Sequence, residues 1–251
     1  MKRNTSSLAI LAISLVTVTR LAFAEDLSVA RMVFFNAKPG SKASLEEAIK
    51  KQIASSGEQT NQWRWLTWEY ASGEIPRYCV ATFGHVWAEF DHPPAGSQAE
   101  LEVDAASMLS PTPPVVQYFE HLDEVSDFGM QTNTPTLAEI STFQLHYGKT
   151  SQFYAALREF HDALQRIGGP NRYEWFELRS GGETPQFMLM LPRANWAAVD
   201  TSADPFLNRL EETLGKKKAA KLFEQFTSAV KSHQRSVVRL RPDLSLLPKT
   251  N

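Results

Sequence analysis

The chain has 251 residues, a formal charge of −2, 43% hydrophobic residues and a single cysteine, Cys79. Its length and apolar content suffice for a sizeable core. The near-neutral balance gives no electrostatic reason to expect nucleic acid or an anionic membrane as partner, and a lone cysteine excludes an intramolecular disulfide.

The first 24 residues have the pattern of an export signal. Lys2 and Arg3 open it, an apolar stretch follows over 8–19, and Ala22, Phe23 and Ala24 supply small residues before Glu25. The apolar stretch is short for a spanning helix, which needs about 20 residues. Cleavage before Glu25 predicts an exported protein, periplasmic or secreted, with no membrane attachment afterwards. Removal of Lys2, Arg3 and Arg20 takes the charge from −2 to −5.

Beyond the signal, 29–37 alternates as a strand and Pro39, Gly40 and Ser41 break it. A helix is predicted over 44–54, with Ser44 and Glu47 at capping-box spacing and Leu45, Ala48, Ile49 and Ile53 on one face. Residues 63–70 and 77–83 read as a hairpin around Ser72 and Gly73, with Cys79 as a small buried hydrophobe in its second strand. A helix over 98–109, a second helical piece after Pro111, Pro113 and Pro114, and a fourth strand over 125–130 complete the first half. The polar run 131–136 reads as a linker. The second half repeats the order: a strand over 140–146, a helix over 151–167, a hairpin of 172–178 with 186–191, and one or two helices over 205–232 with a break at Gly215. A last strand covers 237–241. Lys216, Lys217 and Lys218 form a solvated basic run on one of these helices.

The repeat is explicit. Gly73, Glu74, Pro76, Trp87, Ala88 and Asp91 match Gly182, Glu183, Pro185, Trp196, Ala197 and Asp200 at a constant offset. That spacing indicates a duplicated domain rather than a solenoid module, whose periods are about 20–50 residues. Strand, helix, hairpin, helix, strand is the ferredoxin-like order. The expected units are 25–130 and 137–251. Phe187, Leu189 and Leu191 alternate with Met188 and Met190, so both faces of that strand are apolar and need cover. The economical solution is an α+β protein in which two tandem ferredoxin-like sheets shield each other as a closed or nearly closed barrel with helices outside.

The run Val33-Phe34-Phe35-Asn36-Ala37-Lys38-Pro39-Gly40-Ser41, followed by Leu45-Glu46-Glu47-Ala48, resembles the opening of the dimeric α/β-barrel superfamily, which includes antibiotic-biosynthesis-monooxygenase-like and NIPSNAP-like domains. Tyr147-Gly148-Lys149 with Phe153-Tyr154-Ala155-Ala156 resembles a second copy. The resemblance implies an intramolecular dimeric α/β barrel. Its members range from cofactor-free oxygenases to haem proteins, lyases and binding modules, so it leaves the chemistry open.

Site candidates come from the first strand of each half. Asn36 and Lys38 share a face with Met32 and Phe34, while Thr142, Gln144 and His146 share one with Ile140. Polar groups are costly to bury without partners, so they either line a ligand cavity or lie in solvent at strand ends. Trp65 and Trp175 would be apolar walls, or core. His161 borders the stripe of Phe153, Leu157, Phe160 and Leu164 and, with His146, is the candidate catalytic base or haem ligand. His85, Asp91 and His92 form the one histidine–carboxylate cluster, which reads as helix capping rather than a metal site. No G-x-S-x-G, H-E-x-x-H, C-x-x-C, Walker or Rossmann motif is present. The leading expectation is binding of a small, partly apolar molecule. The alternatives are a cofactor-free oxygenase or isomerase, a haem protein, and an interaction module without a pocket. Ligand, cofactor and oligomeric state stay open.

Overall fold

Eight strands and four helices carry the described part of the chain. The strands are β1 (Val29–Asn36), β2 (Leu66–Tyr70), β3 (Arg77–His85), β4 (Val115–His121), β5 (Leu137–Leu145), β6 (Glu174–Ser180), β7 (Gln186–Arg193) and β8 (Val230–Leu240). The helices are α1 (Lys42–Ser56), α2 (Thr150–Ile167), α3 (Phe206–Leu214) and α4 (Lys216–Thr227). The structure is a computed structural model and describes residues 28–56, 63–73, 76–94, 107–127, 136–168, 172–199 and 206–246. The signal segment, almost all of the linker, the body of the predicted 98–109 helix, Glu74 and Asp200 lie outside the described residues.

The strands close into one antiparallel barrel in the order β1-β3-β2-β8-β5-β7-β6-β4. Closure follows from the patterning. Met32 and Phe34 point inward with Trp68, Cys79, Phe119, Phe176, Met188 and Val238, all buried in one cluster. Val33, Phe35 and Ala37, one residue out of step, point outward under α1. Because side chains alternate with period two, a one-residue slip would exchange those sets, so the two apolar faces fix register. Burial pushes the Cys79 thiol up to about 12, which keeps it a neutral packing group.

Two layers form between sheet and helices. In the first, α1 lays Leu45 and Ile49 on Val33, Phe35, Tyr78, Val80 and Trp65, and Leu244 and Leu246 from the C-terminal tail complete the packing. In the second, Phe153 and Leu157 of α2 cover Phe143, Leu145, Trp175 and Phe187. Ala163, Leu210 and Ala219 then join α2, α3 and α4 to one another, with Phe160, Leu214 and Phe223 against them.

Three elements differ from the sequence reading. Residues 115–121 form β4, not a helix, and Val125 sits in a short 3-10 turn rather than a fourth strand. The reason is pairing on both sides: β4 bonds β1 along Val29–Phe34 and β6 at the other edge. Next, β8 begins at Val230, inside the predicted helical stretch, because its polar first half, through Ser236, pairs with β5 from Leu145 to Ile140. Finally, α1 starts at Lys42, with Leu45 N–H donating to the Ser41 carbonyl at 2.9 Å, so Ser44 is within the helix and not its cap. The expected break at Gly215 is present between α3 and α4, where φ is +80°.

Candidate functional site

A cavity of about 390 Å³ lies in the second layer, between the outer face of β5, β6 and β7 and helices α2, α3 and α4. Its body is apolar: Phe143, Trp175, Leu189 and Leu191 from the sheet, and Leu157, Phe160, Leu164, Phe223 and Phe226 from the helices. The strand period places 189 and 191 on this face and Met188 in the barrel, whereas the helical stripe brings 157, 160, 161 and 164 to the same wall. The aromatic wall is braced from behind. Phe153 packs on Phe143, Trp175, Phe187 and Phe226 at centroid distances between 4.8 and 6.0 Å, and His233 stacks on Phe143 at 4.5 Å.

Polar groups are few and grouped. His161 of α2 lines the cavity, and its Nδ1 lies 3.0 Å from the hydroxyl of Tyr173, which lines it too. Burial, with the nearby Asp127 charge, pushes the Tyr173 phenol up to about 12, so it is a neutral hydrogen-bonding group at ordinary pH. Arg172, Arg193 and Arg209 also line it. Arg193 stands 3.6 Å from Glu139, a buried carboxylate that also pairs with Arg235. The combination of an apolar body and a few convergent polar groups is the usual form of a small-molecule site, and the volume is within the ordinary range of about 300–1,000 Å³.

The structure distributes the sequence candidates unevenly. His161 and Trp175 are on the cavity. Trp65 is buried in the other layer, where its backbone pairs with Leu246. Asn36 ends β1, and Lys38 is exposed beyond it. Thr142 and Gln144 face the barrel side of β5; the Gln144 amide donates to the Pro185 carbonyl at 3.1 Å. His146 is exposed past the end of β5. None of these six lines the cavity, and a void of about 30 Å³ lies inside the barrel against Met32, Phe34 and Met188. Of the polar face read from the two first strands, Thr142 and Gln144 lie on the barrel side and Asn36, Lys38 and His146 at strand ends, whereas the cavity lies on the face that packs on helices. His85 is buried against Trp63 and Phe90, touches Thr82 and lies 2.8 Å from Glu89. Among the described residues, no group of three or more His, Cys, Asp or Glu is gathered as for a metal ion.

Sequence reasoning missed Tyr173 and the three arginines. The helical stripe containing His161 is the α2 wall of this cavity, but nothing local marks Arg193 or Arg209, since an arginine at a strand end or on a helix reads as solvated.

No protein-family model and no curated protein sequence matches the chain. Solved structures do. An anthrone oxidase-like protein superposes with a TM-score of 0.58 over 90% of this chain and 96% of its own, at 11% identity. A monooxygenase-like protein from Lactobacillus acidophilus gives 0.55 over 86% and 94%, at 10% identity. A chlorite dismutase variant from Candidatus Nitrospira defluvii gives 0.53 over 87% and 93%, at 8% identity. The chain has the dimeric α/β-barrel fold. At these identities the likeness is one of architecture, and it carries no activity with it.

Proposed function

We propose that this dimeric α/β-barrel protein binds a small, largely apolar molecule between its second sheet face and helices α2–α4. The observation that carries the reading is the cavity of about 390 Å³ with aromatic and aliphatic walls and a few polar side chains. Leu189 lies on its sheet wall, so Leu189→Trp would fill it. Titration with a hydrophobic fluorophore such as 1-anilinonaphthalene-8-sulfonate, read against the variant, tests the idea. The wild type binds at micromolar concentration and Leu189→Trp does not. Equal binding by both proteins would refute it.

A second reading is favoured by the His161–Tyr173 pair. In the tautomer whose Nδ1–H donates to the Tyr173 oxygen, the Nε2 lone pair of His161 is free to take a proton or to ligate. It supports an enzyme of the cofactor-free oxygenase or isomerase type, with His161 as base. It supports equally a haem protein in which His161 holds the iron, which would supply redox chemistry there, and the arginines meet the acidic groups. Haem titration separates these. A Soret band that disappears in His161→Ala and persists in His146→Ala supports the haem reading, and the absence of any band removes it.

We further read the barrel as two tandem ferredoxin-like units. The spatial orders β4-β1-β3-β2 and β8-β5-β7-β6 are the same order written twice. The kinship with antibiotic-biosynthesis-monooxygenase-like and NIPSNAP-like domains rests on the segment 33–48. Export through cleavage before Glu25 rests on the basic start and apolar stretch of the first 24 residues, and N-terminal sequencing of protein recovered from the periplasm or medium tests it.

A further inference from the structure

We propose that the molecule held in the cavity is an acid: an apolar, ring-sized body carrying an ionised carboxylate that Arg193 and Arg209 bind. The inference rests on the cavity being a ligand site and names the class of ligand. Its basis is a pair of orphaned donors. The Nε atoms of Arg193 and Arg209 are both buried and neither makes a hydrogen bond. Both residues line the same cavity. Buried N–H groups are nearly always satisfied, and one left unmade has its desolvation cost uncompensated, which is greater when the group is charged. Two such donors on one cavity, Arg193 from the sheet and Arg209 from α3, are therefore a structural cost unless an acceptor enters.

The charge balance points the same way. Arg172 lines the cavity as well, and among the described residues neither Arg172 nor Arg209 has an acidic partner within ion-pair distance. Glu139 is the acid beside Arg193, and it is shared with Arg235. One carboxylate thus meets an excess of guanidinium groups. A guanidinium presents its N–H groups as a fork that matches a carboxylate, and charge-assisted bonds of this kind are about twice as strong as neutral ones. Of the other polar lining groups, His161 and Tyr173 are paired with each other, and Phe143, Trp175, Leu189, Leu191, Phe223 and Phe226 are apolar. A neutral apolar ligand would leave both donors unmade. A small hydrophilic anion would leave the aromatic walls empty. An apolar acid satisfies both.

The test compares 2-naphthoate with 2-naphthamide, which share the ring system and differ in charge, using calorimetry on wild-type protein, Arg209→Met and Arg209→Lys, each checked for folding by circular dichroism. Wild type should bind the acid at least tenfold more tightly than the amide. Arg209→Met should bring the two within about threefold, with Arg209→Lys between, and the preference should shrink as salt rises. Equal binding of acid and amide by wild type overturns the acid assignment while leaving the cavity reading intact. Failure of wild type to bind either compound overturns both. Retention of the full preference in Arg209→Met overturns the role of that arginine, and Arg193→Met then reports whether the other fork carries it alone; no change there refutes the proposal.

Discussion

The two sheet–helix layers are built on arcs of one barrel; one packs Trp65 and Tyr78 into its core and the other holds a cavity. In the first, among the described residues, one helix lies on the strands, and the C-terminal tail adds Leu244 and Leu246. Arg241 locks that tail by donating to Glu46 and Glu69 at 2.8 Å and to Asp243 at 2.9 Å. In the second, three helices bury Ala163, Leu210 and Ala219 among themselves. Among the described residues, the helices of the second layer pack on one another as well as on the sheet, whereas α1 packs on the strands and the tail. The contrast lies in the cover and not in the strands, which belong to one barrel.

Truncating the brace of each layer gives the largest expected effect. Phe153 and Leu45 are both fully buried. Phe153→Ala should cost about 3–5 kcal/mol and Leu45→Ala about 2–5 kcal/mol in urea denaturation. Only Phe153→Ala should alter ligand binding, because Phe143, Trp175 and Phe226 lean on that ring; equal effects on binding would erase the distinction between layers.

The seam between the halves is next. At Gly181 φ is +92°, and an added Cβ would lie 2.0 Å from the Val116 carbonyl oxygen of β4. Gly181→Ala should cost about 3 kcal/mol, from left-handed strain together with overpacking. A thermal melt unchanged within a degree would show that the β4–β6 seam yields freely.

Arg241→Met should cost about 2 kcal/mol by removing charge-assisted hydrogen bonds in the first layer. The Arg241 guanidinium holds the Glu46 and Asp243 carboxyls below their ordinary values. Their stabilisation is therefore present above the unfolded pKa and is lost as pH falls through the lower folded value. The variant should show a shallower loss of stability below about pH 4.5.

An effect that depends on pH is expected at Glu174, on the barrel side of β6, where burial pushes the carboxyl up to about 7. The folded state binds this proton more tightly than the unfolded chain, whose ordinary value is 4.5, so stability falls as pH rises from 4.5 to about 7 and is flat above. Glu174→Gln should remove that slope and raise the melting temperature at pH 8. An identical pH profile in the variant would place Glu174 in water instead.

Much of the architecture was legible in local pattern. The alternation of Val33 and Phe35 against Met32 and Phe34, the α2 stripe and the Gly215 break all follow from side-chain period and backbone freedom. The repeated Trp87 and Trp196 each open a short 3-10 turn after β3 and β7. The polar first half of β8 and the strand at 115–121 were not legible, because their neighbours in the sheet come from distant parts of the chain. The site was legible only as far as His161 and Trp175. Arg193 and Arg209 carry no local sign of burial, and the polar stripe of Asn36, Lys38, Thr142, Gln144 and His146 resembles a binding face until the barrel closes.

The amino-acid order alone determined that there would be two apolar sheet faces in a fixed register, since alternation is a property of each strand taken singly. Which of those faces would stay open was decided only in three dimensions. It depends on whether the covering helices gain more contact from the strands or from one another, and that balance exists only once β5–β8 and α2–α4 are assembled.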